Sequence, residues 1–226
     1  MSFELENTVP WGRTLAEYKS MFNLGECDLS KRIISFGDGP ASFNSEMNML
    51  GKKVTSLDPI YQFSKEELRQ RIDETKDIVM DQMTENKDNF IWTTIKGLSE
   101  LEQLRMGAMS NFLADYEIGL NENRYLMHEL PESTNFKAQN FDLGLSSHFL
   151  LLYSKLGLDF HIKSISEMLR VCKEIRIFPI LNLNAEPSEL LPKIEKVFKK
   201  DFELNIEPVN YEFQKDGNKM LRIQRR

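Results

Sequence analysis

Short apolar runs alternate along this chain with stretches in which apolar residues recur every three or four positions, the pattern of strands alternating with helices. Ile33-Ile34-Ser35-Phe36 reads as a strand covered on both faces. Phe43, Met47 and Leu50 then share one face of a helix over residues 42–50, which Gly51 ends. Lys53-Val54-Thr55-Ser56-Leu57-Asp58 follows as a second strand with Asp58 at its carboxyl end. Upstream, the spacing of Leu15, Tyr18, Met21 and Phe22 predicts a helix over residues 14–22. Ser64-Lys65-Glu66-Glu67 is a capping box opening a long helix with Leu68, Ile72, Val79 and Met83 inward. A second box, Ser99-Glu100-Leu101-Glu102, opens another helix with the stripe Leu101, Leu104, Ala108, Phe112 and Tyr116. One crossover helix would suffice between parallel strands, so residues 64–120 read as a helical insertion that caps the sheet.

Arg124-Tyr125-Leu126-Met127-His128-Glu129-Leu130-Pro131 reads as the third strand and its exit, and residues 141–148 as the fourth. The apolar run Phe149-Leu150-Leu151-Leu152-Tyr153 is expected to pack under the cap. Asp159 is placed to cap a helix carrying Ile162, Ile165, Leu169 and Cys172, and residues 175–180 form a fifth strand. A helix over residues 188–200 turns Leu191, Ile194, Val197 and Phe198 inward and Lys196, Lys199 and Lys200 to solvent. Residues 205–225 alternate like two strands joined by the turn Lys215-Asp216-Gly217-Asn218.

The length of 226 residues suits one domain over residues 1–226, with an N-terminal flap over residues 1–30 and the insertion inside it. A net charge of −6 gives no general footprint for nucleic acid, and Arg222, Arg225 and Arg226 read as a solvated terminus. No apolar run is long enough for a membrane span, and Met1-Ser2-Phe3-Glu4 does not open a secretory leader. Cys27 and Cys172 form no zinc pattern with His128, His148 or His161, so no metal is expected; two reduced cysteines suit a cytoplasmic protein.

Gly37 and Gly39 allow a sharp turn and close approach of a ligand, and Asp58 stands about 20 residues on, where a ribose-binding acid belongs. The combination predicts a bound nucleoside, with Ile60 and Tyr61 beside its base. Trp11 and Tyr18 pack against the main body or form a flap over the ligand, and the planar fork of Arg13 suits a carboxylate there. Trp92, Met106 and Met109 are candidates for a pocket in the insertion. His148, at the end of the fourth strand, either satisfies a local hydrogen bond or acts as a base. Tyr18, Tyr153 and His161 are further candidates for that role.

Five αβ units followed by an antiparallel hairpin resemble the plan of class I S-adenosylmethionine-dependent methyltransferases. The resemblance rests on Ile33-Ile34-Ser35-Phe36-Gly37-Asp38-Gly39-Pro40-Ala41-Ser42-Phe43, on Val54-Thr55-Ser56-Leu57-Asp58-Pro59 and on Asn140-Phe141-Asp142-Leu143-Gly144-Leu145-Ser146-Ser147-His148. With the Trp11-Gly12-Arg13 segment and Ser147-His148-Phe149, the chain also looks like a group of bacterial methyltransferase-like proteins. The resemblance implies a Rossmann-like α/β fold, a seven-stranded, mostly parallel sheet with an antiparallel terminal hairpin. It implies S-adenosylmethionine as cofactor and S-adenosylhomocysteine as product. Gly37, Asp38, Gly39 and Pro40 would line the methionine part, with Arg13 as a further contact. Asp58 would bind both ribose hydroxyls, Pro59 and Ile60 would flank adenine, and Ser146 and Ser147 would face the methyl group. The chain departs from the family at Ser35, where an acid is usual, and at Ala41, where a third glycine is usual. Glu129 is the nearest acid after the third strand.

The activity implied is in-line methyl transfer to an acceptor, with a small molecule favoured over nucleic acid. One alternative is a nicotinamide-dependent oxidoreductase, although Ser42 stands where its fingerprint needs a third glycine. The other is a non-catalytic cofactor-binding protein of the same fold.

Overall fold

The computed structural model describes residues 11–226. The leader reading at Met1-Ser2-Phe3-Glu4 and the first ten residues of the flap lie outside the described residues. Four strands pair in parallel: β1 (Ile33–Phe36), β2 (Val54–Leu57), β4 (Phe141–Ser147) and β5 (Cys172–Phe178), with the two-residue β3 (Tyr125–Leu126) parallel to β2 at the edge. β6 (Phe202–Pro208) and β7 (Lys219–Arg225) complete the order β3-β2-β1-β4-β5-β7-β6, with β7 antiparallel to both β5 and β6. This is the seven-stranded Rossmann-like sheet implied by the sequence.

Side chains alternate across the sheet, so each strand feeds two cores. Ile34, Phe36, Ile175 and Ile177 pack on one face with the helices α6 (Gly157–Val171) and α7 (Leu191–Phe198). Ile33, Leu143 and Leu145 pack on the other with α1 (Leu15–Met21) and α3 (Phe43–Met49). A single-turn helix α2 (Glu26–Leu29) leads into β1. Between β2 and β3 lie α4 (Lys65–Glu85) and α5 (Leu98–Asn121), packed together through Leu68, Ile72, Phe112 and Tyr116. The capping box at Ser64 and Glu67 is present as read from the sequence.

Several elements differ from the sequence expectation. Leu50 is 58% exposed, because α3 ends at Met49 and only Phe43 and Met47 face the sheet. Ser99 does not cap α5: the helix opens two residues earlier from Gly97, and Glu100 reaches back to the backbone N–H of Lys96 at 2.7 Å. Asp159 lies inside α6, which starts at Gly157, and pairs with Lys163. Cys172 opens β5 rather than closing α6; its N–H still bonds the carbonyl of Met168, so helix passes to strand without a loop. α7 spans eight residues, and Val197 is 46% exposed on its outer side. Leu150 and Leu151 join the sheet core rather than packing under the insertion. Arg222 is held by Glu174 and Glu207 rather than simply solvated, while Arg225 lies over Phe202 and, like Arg226, is exposed.

The hairpin is the largest difference. Lys215-Asp216-Gly217-Asn218 sits within a longer connection, residues 209–218, that crosses to the insertion. Ile91 N–H donates to the Phe213 carbonyl at 2.7 Å and Lys215 N–H to the Asn89 carbonyl at 3.0 Å. Phe213 stacks on Phe90 at 4.8 Å and meets Trp92 edge-on.

Candidate active site

The carboxyl ends of β1, β2 and β4 open on a cleft of about 480 Å³. Gly37, Asp38 and Gly39 form its floor, Asp58, Pro59 and Ile60 one side, and Ser147 and His148 the other. A crevice outside the carboxyl ends of parallel strands is where such sheets bind ligands.

Three hydroxyls hold the turn after β1. Ser35 Oγ donates to Asp38 Oδ1 at 2.5 Å, Ser56 Oγ donates to Oδ2 at 2.5 Å, and Tyr18 OH also donates to Oδ1. Ser35 stands where the resemblance leads to an acid, and a carboxylate from three residues later lies against it. Burial pushes the Asp38 carboxyl up, and the three hydroxyl donors oppose that shift. Asp58 Oδ2 accepts from Gly39 N–H at 2.8 Å and Oδ1 from Ile60 N–H at 3.0 Å. Each oxygen keeps a further acceptor site. Burial pushes this carboxyl up to about 6, against the pull of those two amides.

The two glycines do different work. Both have left-handed backbone, at φ +66° and +56°. A Cβ on Gly37 would fall 2.7 Å from the Phe149 ring, so that glycine makes room for a side chain. A Cβ on Gly39 would meet nothing within 4 Å. Tyr61 OH bonds the Gly39 carbonyl at 2.8 Å from beneath. Tyr61 is buried among Phe112, Tyr116 and Tyr125, so it braces the turn and does not cover a ligand; Ile60 lines the cleft.

The N-terminal segment crosses above this turn. Thr14 and Glu17 form a capping box at α1. Glu17 also takes a two-pronged bond from Arg105 of α5, at 2.8 and 2.6 Å, and Tyr211 OH donates to it at 3.0 Å. Burial drives the Glu17 carboxyl up, but the Arg105 guanidinium outweighs it and brings the group down to about 2. The sequence reading missed Arg105, a fully buried cation placed on an apolar stripe. The presence of an arginine between Leu104 and Ala108 was its only signal. Arg13 and Trp11 both line the cleft.

His148 has φ +53°, and its N–H bonds the Phe178 carbonyl at 2.6 Å. Its Nδ1 lies 2.9 Å from Ser147 Oγ, and its ring meets Phe178 edge-on. Burial, with the nearby Arg13 and Arg105 charges, lowers its pKa well below the usual value, so the imidazole is neutral at pH 7. Tyr153 lines the cleft too. Tyr18 is committed to Asp38. His161 is buried in α6 with Nδ1 2.7 Å from the Gly157 carbonyl, outside the cleft. Ser146 is fully buried and does not line the cleft, since alternation along β4 directs it away from Ser147. Met109 lies in the core behind Tyr61, and neither Met106 nor Trp92 reaches the cleft. The cleft wall from the insertion is instead Val79, Met83, Asn89 and Phe90, joined by Phe213 and Gln214, which the sequence reading did not single out.

No family model matches the chain. It is 41% identical over 223 residues to the uncharacterized protein MJ0045 of Methanocaldococcus jannaschii, covering 98% of each chain. This chain belongs to that protein's family. Its structure is also similar to the magnesium protoporphyrin IX methyltransferase of Synechocystis solved with bound S-adenosylmethionine, at 11% identity and a TM-score of 0.44, over 89% of this chain and 73% of that one. A TehB-like S-adenosylmethionine-dependent methyltransferase of Corynebacterium glutamicum overlaps at 13% identity and a TM-score of 0.42, over 87% and 81%. Both overlaps are partial, and the fold assignment stands on this family member's own strand order. Among the described residues, no helix is long and apolar enough to cross a membrane.

Proposed function

We propose that this chain is an S-adenosylmethionine-dependent methyltransferase acting on a small-molecule acceptor. The observation that carries the reading is the pairing of Asp58 with the open face of Gly39. A carboxylate held by two backbone amides keeps an acceptor site on each oxygen, as a ribose diol requires, and Gly39 leaves space beside it. The residues present fit the cofactor on a further count. His128, whose Nε2 is buried after β3 without a hydrogen-bond partner among the described residues, lines the cleft where adenine and ribose would lie.

In this reading Asp58 holds the ribose, Pro59 and Ile60 flank the base, and Gly37, Asp38, Gly39 and Pro40 line the methionine part. When bound, the cofactor supplies an activated methyl group, and the transfer needs chiefly alignment and a dry site. Phe90, Phe149 and Phe213 keep the cleft apolar. Ser147 positions the His148 ring through Nδ1, leaving Nε2 as the atom that takes a proton from an acceptor arriving protonated. The insertion acts as the cap of the site.

Calorimetric titration with S-adenosylhomocysteine and with NADH tests the reading. Micromolar binding of the former, lost in Asp58→Ala, is the expected result. A folded wild-type protein that ignores S-adenosylhomocysteine, or prefers NADH, overturns it.

A further inference from the structure

The fully buried or nearly buried arginines of this chain each hold a carboxylate: Arg105 with Glu17, Arg124 with Asp115, and Arg176 with Asp28 and Glu174. Arg13 differs. Among the described residues it has no carboxylate within 4 Å. Among the same residues its one side-chain bond runs from a guanidinium nitrogen to the Trp11 carbonyl at 3.1 Å, and its buried Nε meets no partner. A guanidinium has five donors, so most of this fork is unused, and it lines the cleft. A half-buried cation with its Nε buried and most of its donors unused suits an anion arriving in the cleft.

Resting on the methyltransferase reading, we infer that Arg13 is the recognition site for a carboxylate on the methyl acceptor, and that the acceptor is an organic acid with a flat apolar body. Three observations place the anion on the acceptor. First, the cleft carries charge of opposite sign in two places. Asp38 and Asp58 lie at the turn, and they repel a carboxylate that arrives without the ammonium group carried by the methionine part. Second, the Arg13 charge is felt by His148, Tyr153 and Tyr211, at the exit of β4 and on the hairpin connection, as well as by its α1 neighbours Glu17 and Tyr18. The Asp58 charge is felt by Tyr61 and Tyr116, on the insertion side. Third, the cleft beyond the turn is walled by Trp11, Met83, Phe90 and Phe213, with Phe90 and Phe213 stacked. Such a wall takes an aromatic or similarly flat body, and a planar guanidinium at its edge takes the carboxylate in two parallel bonds.

The test uses wild type, Arg13→Gln and Arg13→Lys, each first titrated with S-adenosylhomocysteine and then, saturated with it, with three probes. These are 4-hydroxybenzoate, 3-phenylpropionate and indole-3-acetate, each paired with its primary amide. Acids are expected to bind wild type about tenfold or more tighter than their amides, the usual worth of a charge-assisted two-pronged contact. Arg13→Gln erases that preference, Arg13→Lys keeps part of it, and S-adenosylhomocysteine affinity stays within roughly threefold in both. The inference is overturned if no acid outbinds its amide in wild type. It is overturned equally if Arg13→Gln weakens S-adenosylhomocysteine by about tenfold or more, which assigns the arginine to the cofactor. Failure of wild type to bind S-adenosylhomocysteine is a separate outcome, and it removes the methyltransferase reading with the inference.

Discussion

Replacing Arg105 with Met removes a charge from the interior while keeping an apolar chain of similar reach. Glu17 then stays behind, 7% exposed and without its cation. Breaking one side of a buried pair costs about 3–5 kcal/mol. The position of the Glu17 carboxyl gives an independent figure: a shift from 4.5 to about 2 corresponds to about 3 kcal/mol of stability at neutral pH. The sign follows from linkage. In wild type the carboxyl is depressed on folding, so its contribution is fully present above pH 4.5 and is lost as pH falls toward 2. In Arg105→Met burial, the largest influence, is opposed only by Arg13 and the Thr14 backbone N–H, so the carboxyl rises and the variant is penalised as pH rises above 4.5. Urea unfolding of both proteins at pH 7 and pH 4 should therefore show a deficit of about 3 kcal/mol or more that shrinks at the lower pH. The double variant Arg105→Met with Glu17→Met leaves no unpaired charge and should recover most of the loss. A single variant within about 1 kcal/mol of wild type at pH 7, or a deficit equal at both pH values, would refute this account of the clamp.

Asp58 must be ionised to accept two ribose hydroxyls, and burial holds its carboxyl at about 6. S-adenosylhomocysteine affinity measured by calorimetry should thus fall about tenfold from pH 7.5 to pH 5, and a flat profile would contradict the assignment. Gly37→Ala meets both a left-handed backbone and the Phe149 ring, whereas Gly39→Ala meets only the backbone cost of about 1–2 kcal/mol. Urea midpoints should rank wild type above Gly39→Ala above Gly37→Ala. Tyr18→Phe removes one of three hydroxyls from Asp38 and should cost about 1 kcal/mol, with a weaker S-adenosylhomocysteine titration as its second readout.

The parts of this molecule legible in its sequence are those written by local rules. The run Ile33-Ile34, the glycines after it, the capping box at Ser64 and Asp58 at a strand end each depend on neighbours a few residues away. Leu50 and Val197 fit their helical stripes, yet they lie outside because short helices cover only part of the face their periodicity suggests. Cys172 was assigned to a helix because no glycine or proline marks the change to β5. Within the site, the glycine turn and His148 were legible, but Phe213 was not: its place beside Phe90 is set by contact across more than a hundred residues. Arg105 was hidden for the same reason, since only Glu17 makes a cation acceptable there. The displaced acid is a subtler case. Ser35 reads as a lost carboxylate, while in space Asp38 lies in hydrogen-bond contact with it.

The position of β7 bears on how the chain folds as it is made. It follows the other six strands in chain order, yet it lies inside the sheet, with β5 on one flank and β6 on the other. Until it arrives, β5 has an open edge and β6 has no strand to pair with. The connection before it carries Phe213, so the aromatic wall is also late. Nascent chains stalled before residue 219 should then expose two unpaired backbone edges and recruit holding chaperones. Release of seven further residues should close both edges in one step.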